Sequence, residues 1–363
     1  MVAPGHPFPS VSMRFFDVRR FPLRLLAAGT LPVLFLAGCG SSSSNASSAS
    51  KTATKSATTS ASATPTGPYT VPAADVSPMS AIQVTTPSGE SPTVKLGKKP
   101  FQVNQTTTDV KTQGSGAVVA ADNLVSVSYV AVDGASGKTL ADTFANTAGP
   151  MYLKDPTQLP GLVKSISGKK VGTVETVAIP PADAFGDEGN TQLGVTRKDT
   201  IVLYLKINST SPNLAHGTAV APQKGLPTVK WNGVDKPATI TMPNSAAPKK
   251  LEVANLINGD GATVKKGQTL YALYTGVIWA NGKAGKVFDS TGNTGRYGVP
   301  ASFVIGKGQV IPGWDKALVG KKVGDRVEIV IPPADGYGSK GNAQGGIKGT
   351  DTLVFVVDIV AVG

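Results

Sequence analysis

A chain of 363 residues has room for two or three domains with cores of their own, and 42 glycines with 27 prolines favour strands and turns over long helices. The formal charge of +12 comes from lysines spread along the chain, with no basic run interleaved with aromatics, so nucleic acid is not an expected partner. One cysteine, Cys39, excludes an intrachain disulfide, and two distant histidines, His6 and His216, leave no metal constellation and no Ser–His pair.

Arg14, Arg19, Arg20 and Arg24 precede the apolar run LLAAGTLPVLFLAG at 25–38, a basic and then apolar leader too short and Pro-interrupted to span a bilayer. The Leu36-Ala37-Gly38-Cys39 sequence at its end resembles the lipobox of bacterial lipoproteins. That resemblance implies cleavage before Cys39, lipidation of its sulfur, and a protein held outside the cytoplasm on the bacterial cell membrane. Residues 40–67 are almost all Ser, Thr and Ala, which offer no core in which to bury a free thiol. We therefore expect a signal peptide at 1–38 and a flexible tether at 39–80.

The chain then repeats itself. GKKVGTVETVAIPPADAFGDEGN at 168–190 matches GKKVGDRVEIVIPPADGYGSKGN at 320–342 with 13 of 23 positions identical, at an offset of 152. The same offset carries Pro160-Gly161 onto Pro312-Gly313. Upstream, Tyr129 falls on Tyr274 and Gly114-Ser115-Gly116 on Gly259-Asp260-Gly261 at 145, so the second copy is seven residues longer, around 276–300. Pro92-Thr93-Val94-Lys95 recurs as Pro227-Thr228-Val229-Lys230, which gives each copy an extended N-terminal arm. The period is too long for a solenoid and indicates duplication.

In the second copy Thr269–Val277 alternates as a half-buried strand does, and Val287–Asp289 and Ala301–Ile305 read as short strands around a Gly-rich loop. Pro312–Val319 reads as a short helix, Pro at its start and Gly320 past its end, with Trp314, Ala317 and Leu318 on one face. Arg326–Ile331 alternates again, and Thr352–Val360 is an apolar run, interrupted only by Asp358, suited to a central strand. Strands, one helix, then strands predict an α+β fold, an antiparallel sheet packed on that helix. Hydrolysis by a pair such as Asp289 and Asp335 is formally open, but no neighbour that would raise either pKa is legible. On spacing alone, Trp314, Tyr274 and Phe355 read as core, the usual fate of aromatics at such spacings.

Five motifs in register carry a closer resemblance: Ala272–Gly276, Phe288-Asp289-Ser290, Gly306–Trp314, Gly336-Tyr337-Gly338 and Thr352–Phe355. In order and spacing the region 250–363, and more faintly 110–207, resembles an FKBP-type peptidyl-prolyl cis-trans isomerase. The resemblance implies two domains, each an antiparallel half-barrel sheet wrapped on one short helix. With arms included, the divisions are a degenerate domain at 81–209, a linker and arm at 210–248, and an isomerase domain at 249–363. It implies Trp314 as the floor under the proline ring, with Tyr274, Phe288, Val310, Ile311 and Phe355 as walls. Ile311 N–H and the Tyr337 hydroxyl would hold substrate carbonyls, and Asp289 would lie near the twisting amide. Ile347 is the bulky apolar residue in an otherwise Gly-rich 340–349 loop. No cofactor or metal is implied; proline-containing unfolded or secreted polypeptides and macrolide-type inhibitors are the implied partners. A non-catalytic, polypeptide-binding chaperone lipoprotein is the alternative, and a surface adhesion or scaffold protein a third reading.

The first copy departs at the implied site. Leu162 stands at the Trp314 position, Phe185 at Tyr337 and Leu203 at Phe355, while Leu140-Ala141-Asp142 replaces Phe288-Asp289-Ser290 with Asp142 matching only by a one-residue shift. Residues 110–207 are therefore expected to keep the fold and to be inactive or weak, whereas the repeated Gly320–Val323 and Pro332–Asp335 read as scaffold.

Overall fold

Why the run at 352–360 is apolar at all but Thr352 and Asp358 follows from where it lies in the computed structural model, which describes residues 69–145, 149–293 and 295–363. It becomes a strand, Leu353–Val362, that is covered on both faces. Leu353, Phe355, Val357 and Ile359 face the helix core, while Val354 and Val356 face the arm that precedes the domain. The leader, Cys39 and most of the expected tether lie outside the described residues.

In chain order, β1 (Ile82–Thr85) and β2 (Thr93–Leu96) form a hairpin, the first arm. The first sheet follows as β3 (Thr107–Thr112), β4 (Asn123–Asp133), β5 (Thr139–Asp142), β6 (Met151–Tyr152), helix α1 (Pro160–Ile166), β7 (Val174–Ile179) and β8 (Ile201–Pro212). A linker strand β9 (Thr218–Ala219) leads to the second arm, β10 (Thr228–Lys230) and β11 (Thr239–Thr241). The second sheet is β12 (Glu252–Asn258), β13 (Thr269–Ile278), β14 (Lys286–Ser290), β15 (Ala301–Val304), helix α2 (Pro312–Leu318), β16 (Arg326–Ile331) and β17 (Leu353–Val362).

Both sheets are antiparallel and carry one topology. The first runs β3-β7-β8-β4-β5 with β6 also on β4; the second runs β12-β16-β17-β13-β14 with β15 also on β13. The second gains one strand, since β9 pairs the outer edge of β12. This is the expected α+β architecture, duplicated. Pro at the first helical turn starts each helix, and the glycine after it is required by packing. A Cβ at Gly161 would lie 2.3 Å from Ile179, and one at Gly313 would lie 2.8 Å from Ile331. Each helix can therefore lie directly on its sheet, with Leu162 and Ile166, or Trp314, Ala317 and Leu318, facing inward.

One sequence expectation is corrected here. Within the last residues assigned to the tether, Val71 is already buried, and it exchanges hydrogen bonds with the Asn104 side chain at 2.7 and 2.9 Å. Unlike the Ser/Thr/Ala stretch, this segment has apolar side chains to bury. The arms are hairpins, and the repeated Pro-Thr-Val-Lys does not mark equivalent strands. Thr93-Val94-Lys95 is the second strand of its hairpin and Thr228-Val229-Lys230 the first. The equivalent of Val94 is Ile240, one residue off the 145 offset; both are buried against the outer face of their sheet. A two-stranded hairpin is marginal alone; each buried aliphatic side chain contributes about 1.5–3 kcal/mol to docking it.

Candidate active site

Trp314, 1% exposed, is the centre of an aromatic box. Tyr274 on β13, Phe303 on β15 and Phe355 on β17 meet its ring at centroid distances of 5.5, 4.9 and 5.2 Å, with interplanar angles of 87°, 66° and 84°. Phe288 on β14 stands edge-on to Phe355 at 5.4 Å. Such edge-to-face pairs add about 0.5–1.5 kcal/mol each beyond the area they bury. Gly276 makes room for them, since a Cβ there would lie 2.7 Å from both Phe288 and Phe355.

The loop before α2 supplies the polar part. Asp315, inside the helix, accepts the N–H groups of Gly306 and Gly308 at 2.6 and 2.7 Å and so folds the loop back over the helix start. Val310 and Ile311 are thereby buried in the same cluster as Trp314, Ile347 and Phe355, with Phe288 and Tyr337 packed against it. The Ile311 N–H has no acceptor among the described residues. Neither has the buried indole N–H of Trp314, and buried donors left this way are uncommon.

Asp289 sits at the rim. Its Oδ2 accepts the Tyr274 hydroxyl at 2.5 Å, and its Oδ1 accepts the Ser290 N–H at 2.9 Å and faces Arg296 at 3.1 Å. Burial first, then the Asp289 charge and hydrogen bond, hold the Tyr274 phenol well above its ordinary value, against an opposing contribution from Arg296. Burial also raises Tyr337; the Asn342 side chain lowers it and the Asp289 charge raises it. Both phenols are therefore neutral donors at physiological pH.

All nine residues expected at the site thus converge on the box or its rim. Asp335 does not; it accepts Lys316 at 2.6 Å, as Asp183 accepts Lys164 at 2.5 Å in the first copy, and this ion pair is scaffold. Phe303 and Arg296 were absent from the sequence reading. Alternation of Ala301, Phe303 and Ile305 was the available signal for the first; a Gly-rich loop gives none for the second.

In the first domain the equivalent space is filled. Tyr129 is retained, but Leu162, Leu203, Leu140, Leu193 and Phe185 pack together there. Register resolves the one-residue ambiguity: Ala141 pairs Ala131 as Asp289 pairs Gly276, while Asp142 takes the place of Ser290. Asp142 is exposed and accepts the Phe144 N–H, so it has no site role. A separate polar cleft of about 390 Å³, lined by Gln105, Thr106, Thr108, Lys164, Ser165, Lys169 and Asp183, contains none of the box positions.

Residues 261–360 match the family model described as FKBP-type peptidyl-prolyl cis-trans isomerase. An FK506-binding protein of Streptomyces anulatus is 39% identical over 129 residues, which are 36% of this chain and 98% of that protein. The human peptidyl-prolyl cis-trans isomerase FKBP7 is 38% identical over 113 residues, 31% of this chain and 49% of that one. Among solved structures, the three FKBP domains of wheat FKBP73 align with 71% of this chain and 94% of their own, at 21% identity and a TM-score of 0.31. Because nearly the whole of the Streptomyces relative is reproduced at 39% identity, this chain belongs to the FKBP-type peptidyl-prolyl cis-trans isomerases.

Proposed function

We propose that the isomerase activity resides in residues 249–363 and acts on X–Pro bonds of extracytoplasmic polypeptides by desolvating and twisting the prolyl amide in the aromatic box. The carrying observation is the buried Trp314 floor with the Tyr274, Phe303 and Phe355 rings against it and Phe288 against Phe355, beside an Ile311 N–H that has no acceptor among the described residues. Resonance sets a barrier of about 18–20 kcal/mol to rotation of a peptide bond. A twisted amide has less charge separation than a planar one, so an apolar site favours it over bulk water. Ile311 N–H and the Tyr337 hydroxyl hold the flanking carbonyls, while Asp289, fixed by Tyr274 and Arg296, lies at the edge where the amide turns. Rotation needs no nucleophile and transfers no proton. The first domain, with its pocket occupied by leucines, is non-catalytic in this reading.

A proline-peptide isomerisation assay on the full chain tests it. Tyr337→Phe removes one hydrogen bond, about 0.5–1.5 kcal/mol, and is expected to lower kcat/KM by up to tenfold. Wild-type protein no faster than buffer would instead favour a polypeptide-binding chaperone. Competition by a macrolide ligand reports on the same pocket.

For location, the leader and the Leu-Ala-Gly-Cys sequence support lipidation at Cys39 and anchoring outside the cytoplasm. Among the described residues no helix is long and apolar enough to cross a membrane. Cys39→Ser is expected to move the protein from the membrane fraction to the medium; unchanged retention would refute the anchor.

A further inference from the structure

The turn that carries Arg296 is held from outside its own sheet. Val299 N–H donates to Arg296 O at 2.9 Å, and the two residues between them are left-handed, Tyr297 at φ +53° and Gly298 at φ +67°. That is a mirror-image tight turn, natural for Gly or Asn and unfavourable for an aromatic residue. Tyr297 is 58% exposed, so burial of its ring does not explain the conformation. Strain of this kind persists only where surrounding contacts over-determine it.

Three contacts do so. Asn213, the residue after β8 and 2% exposed, donates from Nδ2 to Gly298 O at 2.9 Å. Val234, in the loop of the second arm, lies 2.8 Å from where a Gly298 Cβ would stand. Val299 packs in an apolar cluster with Leu124 and Tyr152 of the first domain and Leu273 and Val360 of the second. The linker is itself fixed to the second sheet. Ala215 N–H donates to Asp358 Oδ2 at 2.9 Å, His216 N–H donates to Gly324 O at 2.9 Å, and β9 pairs β12.

From the turn, Arg296 reaches Asp289, and Asp289 accepts the Tyr274 hydroxyl beside Trp314. The first copy lacks this system. Its loop is seven residues shorter and Ala141 stands at the Asp289 position, so there is no carboxylate to position.

We propose that Asn213 and Val234 are positioning residues for the isomerase: they fix the Arg296–Val299 turn, so that the linker from the first domain sets the polar edge of the second domain's pocket. This rests on the role proposed above for Asp289. It makes the non-catalytic domain and its linker part of the working enzyme.

Full-length Asn213→Ala, Asn213→Asp (equal size, no donor) and Val234→Ala are assayed on an X–Pro peptide, with chemical unfolding midpoints as the folding control. The expected result is a kcat lower by roughly threefold to tenfold, as for one lost hydrogen bond, with KM little changed because neither residue is placed against the peptide. In an Arg296→Ala background, Asn213→Ala is expected to cause no further loss, which a general structural effect would not reproduce. Wild-type kinetics for both Asn213 variants, or the same fold-loss in the Arg296→Ala background, overturns the proposal. If Arg296→Ala and Asp289→Ala both retain wild-type kinetics, the positioning role falls with that of Asp289. The loss on Trp314→Leu would still separate this outcome from failure of the isomerase reading.

Discussion

Trp314→Leu is expected to leave the second domain folded and to lower kcat/KM roughly a hundredfold. The substitution removes three edge-to-face contacts, with Tyr274, Phe303 and Phe355. At about 0.5–1.5 kcal/mol each, these sum to a loss that corresponds to about one to three powers of ten if expressed in the transition state. The stability cost is smaller, about 2 kcal/mol, because leucine refills most of the volume. The first copy is the natural control: Leu162 occupies this position, is buried, and supports the same sheet and helix. The measurement pairs peptide isomerisation with the unfolding midpoint. A loss under threefold at an unchanged midpoint would return Trp314 to the status of a core residue and take the proline-ring floor with it.

That comparison also explains what could be read from the sequence. Period-two and period-3.6 patterns located β13, β16, β17 and α2 to within about two residues, because each buries a full face and its composition reports that burial. Duplication separated the shared scaffold from the positions that differ, since Pro332–Asp335 and Pro180–Asp183 do the same structural task while Trp314 and Leu162 differ at the proposed site. What failed was non-local. Pro-Thr-Val-Lys suits either strand of a hairpin, and only docking of Val94 and Ile240 on their sheets decides the register. Asp142 matched Asp289 by residue type, but pleat direction put it on the wrong face. Arg296 acts through a turn whose conformation is set by residues about sixty and eighty positions earlier, and no local pattern encodes such contacts.

The second large effect concerns a carboxyl on the opposite face of the sheet from the box. Glu328 lies on β16, 1% exposed, between Ala254 of β12 and Val356 of β17, on the face covered by the second arm. Its Oε1 has no hydrogen-bond partner among the described residues. The charged groups on that face do not serve it: Arg326 donates to both oxygens of Asp358, at 2.7 and 2.8 Å, and lies 4.1 Å from the centre of the Trp231 ring. Burial alone pushes Glu328 up to about 8, from an ordinary value of 4.5. The folded state therefore keeps a proton that the unfolded chain releases. Its stabilising contribution is complete below about 4.5, declines as pH rises through the interval up to about 8, and is lost above it. A shift of this size corresponds to at most about 4–5 kcal/mol, and relaxation around the ionised carboxylate reduces that to about half. Wild-type protein should thus lose about 2–4 kcal/mol of unfolding free energy between pH 5 and pH 8.5 from this residue. Glu328→Gln should remove that slope and be more stable by a similar amount at pH 8.5, with little difference near pH 4.5. Thr176, a residue that does not ionise, stands at the same register position in the first sheet, so the scaffold accepts an uncharged side chain there. Urea unfolding of both proteins across this range checks the sign directly; parallel pH profiles would mean that Glu328 ionises freely and that the arm leaves the sheet beneath it wet.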